Sequence, residues 1–174
     1  MAGKLNVTED PKAHLVRLVK DFDNAMLITK NSSDQLRGRP MRIAKADVEQ
    51  NLWFITSMDS AKIEELLRDP RACITMQKNG EYISLSGNVH VSNDKGGIEE
   101  IWKEAYRPWF PEGKDTPDLV LLKVDTTWGE YWDSVSGEKT TMDFLKKMVG
   151  AEEKKSTTMP EEHAKVTLTA PTQM

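Results

Sequence analysis

A single cysteine, Cys73, rules out an intrachain disulfide and a cysteine metal cluster, which suits a reducing compartment. It sits inside the apolar run "ACITM" and reads as a small core residue. Histidine is almost as scarce. His14 falls on a helix, His90 on the polar face of a strand and His163 near the C-terminus, so the spacing supports neither a metal site nor a catalytic triad. Glycine-rich nucleotide loops are missing too: "NGEY" and "NDKGG" are turn signals without the spacing of a phosphate-binding fingerprint. No apolar run is long enough to span a bilayer, and "MAGKLNVTED" lacks the apolar core of a signal peptide, so the expected location is cytoplasmic. The formal net charge of -4 gives no general attraction to nucleic acid or anionic membrane, and neither is an expected partner. Glu64 and Glu65, like Glu99 and Glu100, are neighbours on helices and point apart, which suits solvated faces. No catalytic acid or base is nominated.

What is present describes one ordinary domain. Hydrophobic residues make up 38% and charged residues 30% of 174. In "EDPKAHLVRLVKDF", Asp10 is placed to cap a helix and Pro11 to begin it, with Leu15, Leu18, Val19 and Phe22 at helical spacing. Six strands are expected: Ala25 to Thr29, Arg37 to Ala44, Asn51 to Ser57, Arg71 to Gln77, Tyr82 to Val91 and Asp118 to Asp133. Gly87 and Gly129 are candidate bulge or bend positions. A short helix is predicted over Ala61 to Arg68, and a longer one over "GGIEEIWKEAYRPWF", with Trp102 and Trp109 on its apolar stripe. Trp53 reads as core. Of the twelve aromatic residues only Phe144 lies beyond Trp132, so residues 1–135 are expected to form the domain. Residues 136–174 read as a polar extension, partly helical or disordered, with "MDFLKKMVG" as its helical part. Periodicity leaves both a small barrel and an open sheet covered by helices as solutions to the exposed strand edges.

One stretch carries chemistry. "ITSMDSAK" joins a strand end to a helix start and gathers the hydroxyls of Thr56, Ser57 and Ser60, free backbone N–H groups and the Lys62 ammonium. These are the parts of a phosphate cradle. A lysine in the first turn of a helix is disfavoured by roughly 0.3–1 kcal/mol, so an anion is expected nearby. Arg37, Arg39 and Arg42 on the preceding strand would bring a guanidinium to the same turn. The plainer alternative makes Ser60 an N-cap and Lys62 a solvated residue whose charge Asp59 offsets.

"GRPMRIAKADVEQNLWFITSMDSAK" followed by "LLRDPRACITM" resembles the flavin-binding core of the pyridoxamine 5'-phosphate oxidase-like split-barrel proteins, most closely their general stress protein branch. The "RPWFPEGKDTPDL" and "YWD" segments fit that branch as well. The resemblance runs from about Ala25 to Asp133 and implies a mainly β fold with flanking helices (α+β): a six-stranded antiparallel split β-barrel binding flavin mononucleotide (FMN). It implies that Thr56, Ser57, Ser60 and Lys62 hold the FMN phosphate with help from Arg39, with Ile55 beside them. The strand through Pro40, Met41 and Ile43 would run under the isoalloxazine ring. It also implies a homodimer with flavin at the interface, for which Trp109, Phe110, Trp128 and Trp132 are candidate contributions. Core or dimer packing competes as a role for these aromatics. The basic Arg/His motif that grips substrate phosphate in true pyridoxamine phosphate oxidases has no counterpart in "EEHAKVTLTAPTQM". The implied function is therefore flavin-dependent oxidoreduction with an unassigned small-molecule partner. Its rivals are a flavin reservoir without turnover and an interaction protein with a vestigial turn. Flavin adenine dinucleotide (FAD) stays an alternative cofactor, since no wall beyond the phosphate is visible in the sequence.

Overall fold

The computed structural model describes residues 10–133 and 162–167. Helix α1 (Pro11–Lys20) begins as its sequence dictates: Asp10 accepts a hydrogen bond from the Ala13 amide and Pro11 occupies the first turn. Its stripe of Leu15, Leu18 and Val19 is buried. The strands are β1 (Asn24–Lys30), β2 (Leu36–Arg42), β3 (Lys45–Ala46), β4 (Leu52–Ser57), β5 (Arg71–Lys78), β6 (Glu81–Ser92), β7 (Leu119–Asp133) and β8 (Glu162–Thr167). Helix α2 (Ala61–Arg68) joins β4 to β5, and α3 (Lys95–Ile101) follows β6. All pairings are antiparallel, in the order β2-β1-β5-β6-β7-β4-β3, with β8 added to β7.

The expected split barrel is there, with eight strands in place of six. One extra strand arises because the run from Arg37 to Ala44 does not stay in one ladder. The Ile43 amide still donates to Asp23 O beside β1, whereas the next amide, Ala44, donates to Trp53 O in β4. The segment therefore leaves one edge of the sheet and joins the other as β3, curling the sheet closed. The other extra strand lies beyond residue 135, where the sequence reading places no strand: β8 pairs Trp128 with Thr167 and Asp133 with Glu162. With only Ala164 and Val166 alternating as apolar residues, it is too short to stand out without the β7 edge that it completes. The "MDFLKKMVG" segment lies outside the described residues.

β7 is long enough to serve two neighbours on one edge, β4 along Leu119–Val124 and β8 along Trp128–Asp133. Between them Asn51 and Gln50 close the gap: Asn51 Oδ1 accepts from the Thr126 amide at 3.2 Å and Gln50 O from Thr126 Oγ1 at 2.7 Å. The β6–β7 register slips between Ser86 and Gly87, leaving Thr127 as the extra residue, two positions before Gly129. Gly87 is required there, because a Cβ would lie 2.2 Å from Asp125 O.

Inward residues such as Leu27, Leu52, Phe54, Ile74, Leu85 and Leu122 fill the barrel. α1 packs at the Tyr131 end, where His14 is buried and stacks on the phenol ring at 4.8 Å. α2 closes the other end with Ile63 and Leu66. A second apolar cluster on the outer face of β4 and β7 joins Ile55, Leu119 and Leu121 to Ile98, Ile101 and Tyr106. The long helix expected over 96–110 stops at Ile101. Trp102 turns extended and a 3₁₀ turn (Glu104–Tyr106) follows. This break lets Trp102 meet Tyr106 edge-on at 5.6 Å and Phe110 at 6.3 Å over the second cluster, a packing gain that overrides the helical stripe. One other core expectation fails: Cys73 is only partly buried, on the outward face of β5. Trp53 is partly buried against the second cluster, with the ammonium groups of Lys45 and Lys123 5.2 and 5.8 Å from its ring. Among the described residues no helix is long and apolar enough to cross a membrane.

Candidate functional site: a cationic cradle in the split of the barrel

β2 and β4 face each other where the barrel is incompletely zipped. The two are tied together at Ala44 and Trp53, and beyond that point neither forms a ladder with the other. Each therefore presents alternate backbone N–H and C=O groups into the split. Register decides which side chains point inward. Arg39 lies opposite Leu27 and Arg37 opposite Thr29, both on the core face of β1, whereas Pro40 lies opposite exposed Met26. Met41 and Ile43 continue the inward face and pack on the barrel core. On β4, Thr56 shares the inward face of Leu52 and Phe54, while Ile55 faces the second cluster.

At this open end the turn after β4 folds back on itself. The Ser60 hydroxyl donates to Ser57 O at 2.9 Å and sits 3.5 Å from Thr56 Oγ1. Ser60 occupies the N-cap position of α2 without making a side-chain capping bond; the Ile63 amide donates to Ser60 O at 2.9 Å, which leaves the Ala61 and Lys62 amides as the helix-start donors. Lys62 reaches inward and donates from Nζ to Thr56 Oγ1 at 2.7 Å. Among the described residues no carboxylate lies within ion-pair distance of that nitrogen. Burial pushes the Lys62 pKa down and the Arg39 charge lowers it further, with Glu65 opposing in part. Lys62 is half-buried and bonded to Thr56, unlike the fully solvated lysine of the plainer alternative, and Asp59 is exposed.

Two residues that the sequence reading did not assign complete the cluster. Arg39 donates through Nη2 to Glu65 Oε2 at 2.7 Å and through Nη1 to Thr29 Oγ1, while the Thr29 hydroxyl itself donates to Glu65. Thr29 is 1% exposed. Glu65 is thus not on a solvated face as expected, and only Glu64 is. Burial raises the Glu65 pKa, but the bonds from Thr29 and Arg39 together with the charges of Arg39 and Arg37 outweigh it and hold the carboxyl below its usual value. Glu65 stands three residues after Lys62, a spacing that puts both on one helical face and could have flagged it. Thr29 gives no sequence signal, because its place depends on the β1–β2 register.

The remaining candidates are not gathered here. Ser57 points the other way from Thr56, donates its hydroxyl to Asp118 and accepts from the Asp59 amide at 3.2 Å. Trp109 is 64% exposed, and Phe110 leans on the second cluster. Val120 pairs with Thr56, so Trp128 lies eight residues away and Trp132 twelve, about 26 and 40 Å along β7 at the usual strand rise.

Two partly buried cations, Lys62 and Arg39, thus stand beside the start of α2 at the open end of the barrel. A profile described as pyridoxamine 5'-phosphate oxidase like matches residues 10–157. The chain belongs to that family. No curated protein matches the sequence. Among solved structures, this member of the pyridoxamine 5'-phosphate oxidase-like family is similar to a general stress protein 26 from Jannaschia sp. CCS1. That pair is 26% identical with a TM-score of 0.64, covering 87% of this chain and 94% of the other. It also resembles the general stress FMN/FAD binding protein of Xanthomonas citri, at 23% identity and TM-score 0.60, over 74% of this chain and 95% of that one. A pyridoxamine 5'-phosphate oxidase-related, FMN binding protein of Nostoc punctiforme PCC 73102 matches at 17% identity and TM-score 0.53, over 69% and 78%. The last two likenesses concern the fold.

Proposed function

We propose that this chain binds FMN in the split between β2 and β4 and works as a flavoprotein of the general stress type. The observation that carries the reading is Lys62: a partly buried ammonium with a hydroxyl for a partner and, among the described residues, no carboxylate within ion-pair distance is stabilised by an arriving phosphate. Thr56, Ser60 and the first amides of α2 supply further donors, and Arg39 adds charge from across the split. Backbone groups of β2 around Pro40, Met41 and Ile43 border the space in which the flat ring would lie, and Ile55 stands on the opposite strand. Bound flavin supplies hydride or electron transfer; the residues of this chain bind it, orient it and exclude water.

A second copy of the chain completes the pocket in this reading. Trp128 and Trp132 are too far along β7 to serve the cradle of their own protomer, so any contact with flavin comes from a partner. Exposed Trp109 and Leu36, 64% and 75% accessible, are apolar surface of the sort that a subunit interface covers.

The test is direct. Purified protein is titrated with FMN, FAD and riboflavin by flavin fluorescence, and its mass is followed by analytical ultracentrifugation. FMN binding with a strong preference over riboflavin, by a dimer, supports the assignment. Failure to take up any flavin overturns it. Preference for FAD moves the cofactor and leaves the cradle, while anaerobic bleaching by a reduced nicotinamide dinucleotide separates an oxidoreductase from a flavin carrier.

A further inference from the structure

The two cations of the cradle are in different states, and the difference points to a residue that sets how tightly the phosphate is held. Among the described residues Lys62 has no carboxylate within ion-pair distance, whereas Arg39 is already claimed: Glu65 accepts from its Nη2 at 2.7 Å and Thr29 ties the two together. Glu65 is 12% and Arg39 21% exposed, so water does little to dilute this pair. A carboxylate in that place does what a phosphate would do for the arginine. It supplies oxygen acceptors and a negative charge within the same enclosure.

Resting on the FMN reading above, we propose that Glu65 is an internal counter-anion that competes with the ligand phosphate for Arg39 and thereby keeps the cofactor exchangeable. Three features support it. The carboxylate is fixed, because Thr29 is buried and its hydroxyl bridges acid and base. It stays ionised through the neutral range, held down by Thr29, Arg39 and Arg37. It also faces the site from the same helical face as Lys62, whose pKa it pulls upward against burial and Arg39. A dianion entering beside Lys62 meets Arg39 with part of its donor fork occupied and a like charge behind it. Other charged groups facing Glu65 are Arg37 and Lys62, both cations. Glu65 is a positioning residue for Arg39 and a limit on affinity, not a flavin ligand.

The experiment compares FMN and riboflavin dissociation constants for the wild-type protein and Glu65→Gln, which keeps the side-chain size and removes the charge. FMN should tighten about tenfold, the worth of roughly one partly screened charge interaction, while riboflavin moves less than about twofold. The gain should shrink in 1 M salt, a dependence that a packing change would not produce. A second comparison covers poor folding of that variant. Arg39→Gln leaves Glu65 facing the phosphate alone and should weaken FMN, and adding Glu65→Gln should recover about tenfold. If Glu65→Gln weakens FMN, or shifts FMN and riboflavin equally, and the double variant recovers nothing, Glu65 is a structural partner of Arg39 and the inference falls. Wild-type protein that ignores FMN altogether removes the reading beneath it instead.

Discussion

Replacing Lys62 by Met isolates the charge from the packing. Methionine keeps most of the aliphatic stem and loses the ammonium, which in the ligand-free protein donates to Thr56 Oγ1 at 2.7 Å and meets no carboxylate within ion-pair distance among the described residues. A charge-assisted hydrogen bond to phosphate is worth about 1.5–3 kcal/mol, so FMN affinity should fall roughly 10- to 150-fold while riboflavin affinity holds within about twofold. The same variant makes a second, opposite statement about stability without ligand. Burial holds the folded-state pKa of Lys62 below its unfolded value of 10.5, so the unfolded chain keeps its proton to higher pH than the folded one. Stability contributed by this group is therefore lowest where both states are charged and rises with pH up to about the unfolded value. Ligand-free Lys62→Met should be more stable than wild type in urea at pH 7, and the gap should close toward pH 10.5. Fluorescence titration reads the first effect and urea melts at several pH values read the second. Equal losses for FMN and riboflavin, or a variant less stable than wild type at pH 7, would refute the role given to this lysine.

Other consequences follow from particular atoms. Gly87→Ala places a Cβ 2.2 Å from Asp125 O, so the β6–β7 bulge must shift, and urea unfolding should show a loss of about 2–4 kcal/mol. Among the described residues Tyr106 Oη is buried without a hydrogen bond of good geometry, and burial raises its pKa against the charge and weak hydrogen bonding of the nearby Arg42 guanidinium. Tyr106→Phe should therefore leave stability unchanged or raise it by about 1 kcal/mol, checked by thermal melts. Glu65 behaves oppositely to Lys62. Its folded pKa is depressed, so the stability it contributes is present above about pH 4.5 and fades as acid protonates it. Wild type should exceed Glu65→Gln at neutral pH in urea titrations, and the advantage should fade as the pH falls from the unfolded value of 4.5 through the lower folded one.

Much of this was legible because it is local. Asp10 and Pro11 start α1 by backbone chemistry that needs no partner, and the alternation from Tyr82 to Val91 announces β6 whatever it pairs with. The Ser-x-Lys turn likewise marks a place where hydroxyls, amides and an ammonium must crowd together. Where local pattern competed with distant surfaces it misled. Trp102 and Trp109 share a helical stripe, yet the chain breaks at Trp102 because the rings of Tyr106 and Phe110 gain more from the outer face of β4 and β7 than the helix gains from another turn. β8 forms because the second half of the β7 edge needs covering.

The amino-acid order alone settled six of the eight strands, the helix starts and the position of the cationic turn, since each rests on contacts within a few residues. Only tertiary structure could decide that Thr29, thirty-six residues before Glu65, joins that carboxylate to Arg39 while Lys62 turns to the Thr56 hydroxyl. The physical reason is register. A slip of one residue between β1 and β2 would turn Arg39 outward to solvent, and no local propensity fixes that choice; the burial of Leu27 and Met41 on the same face does.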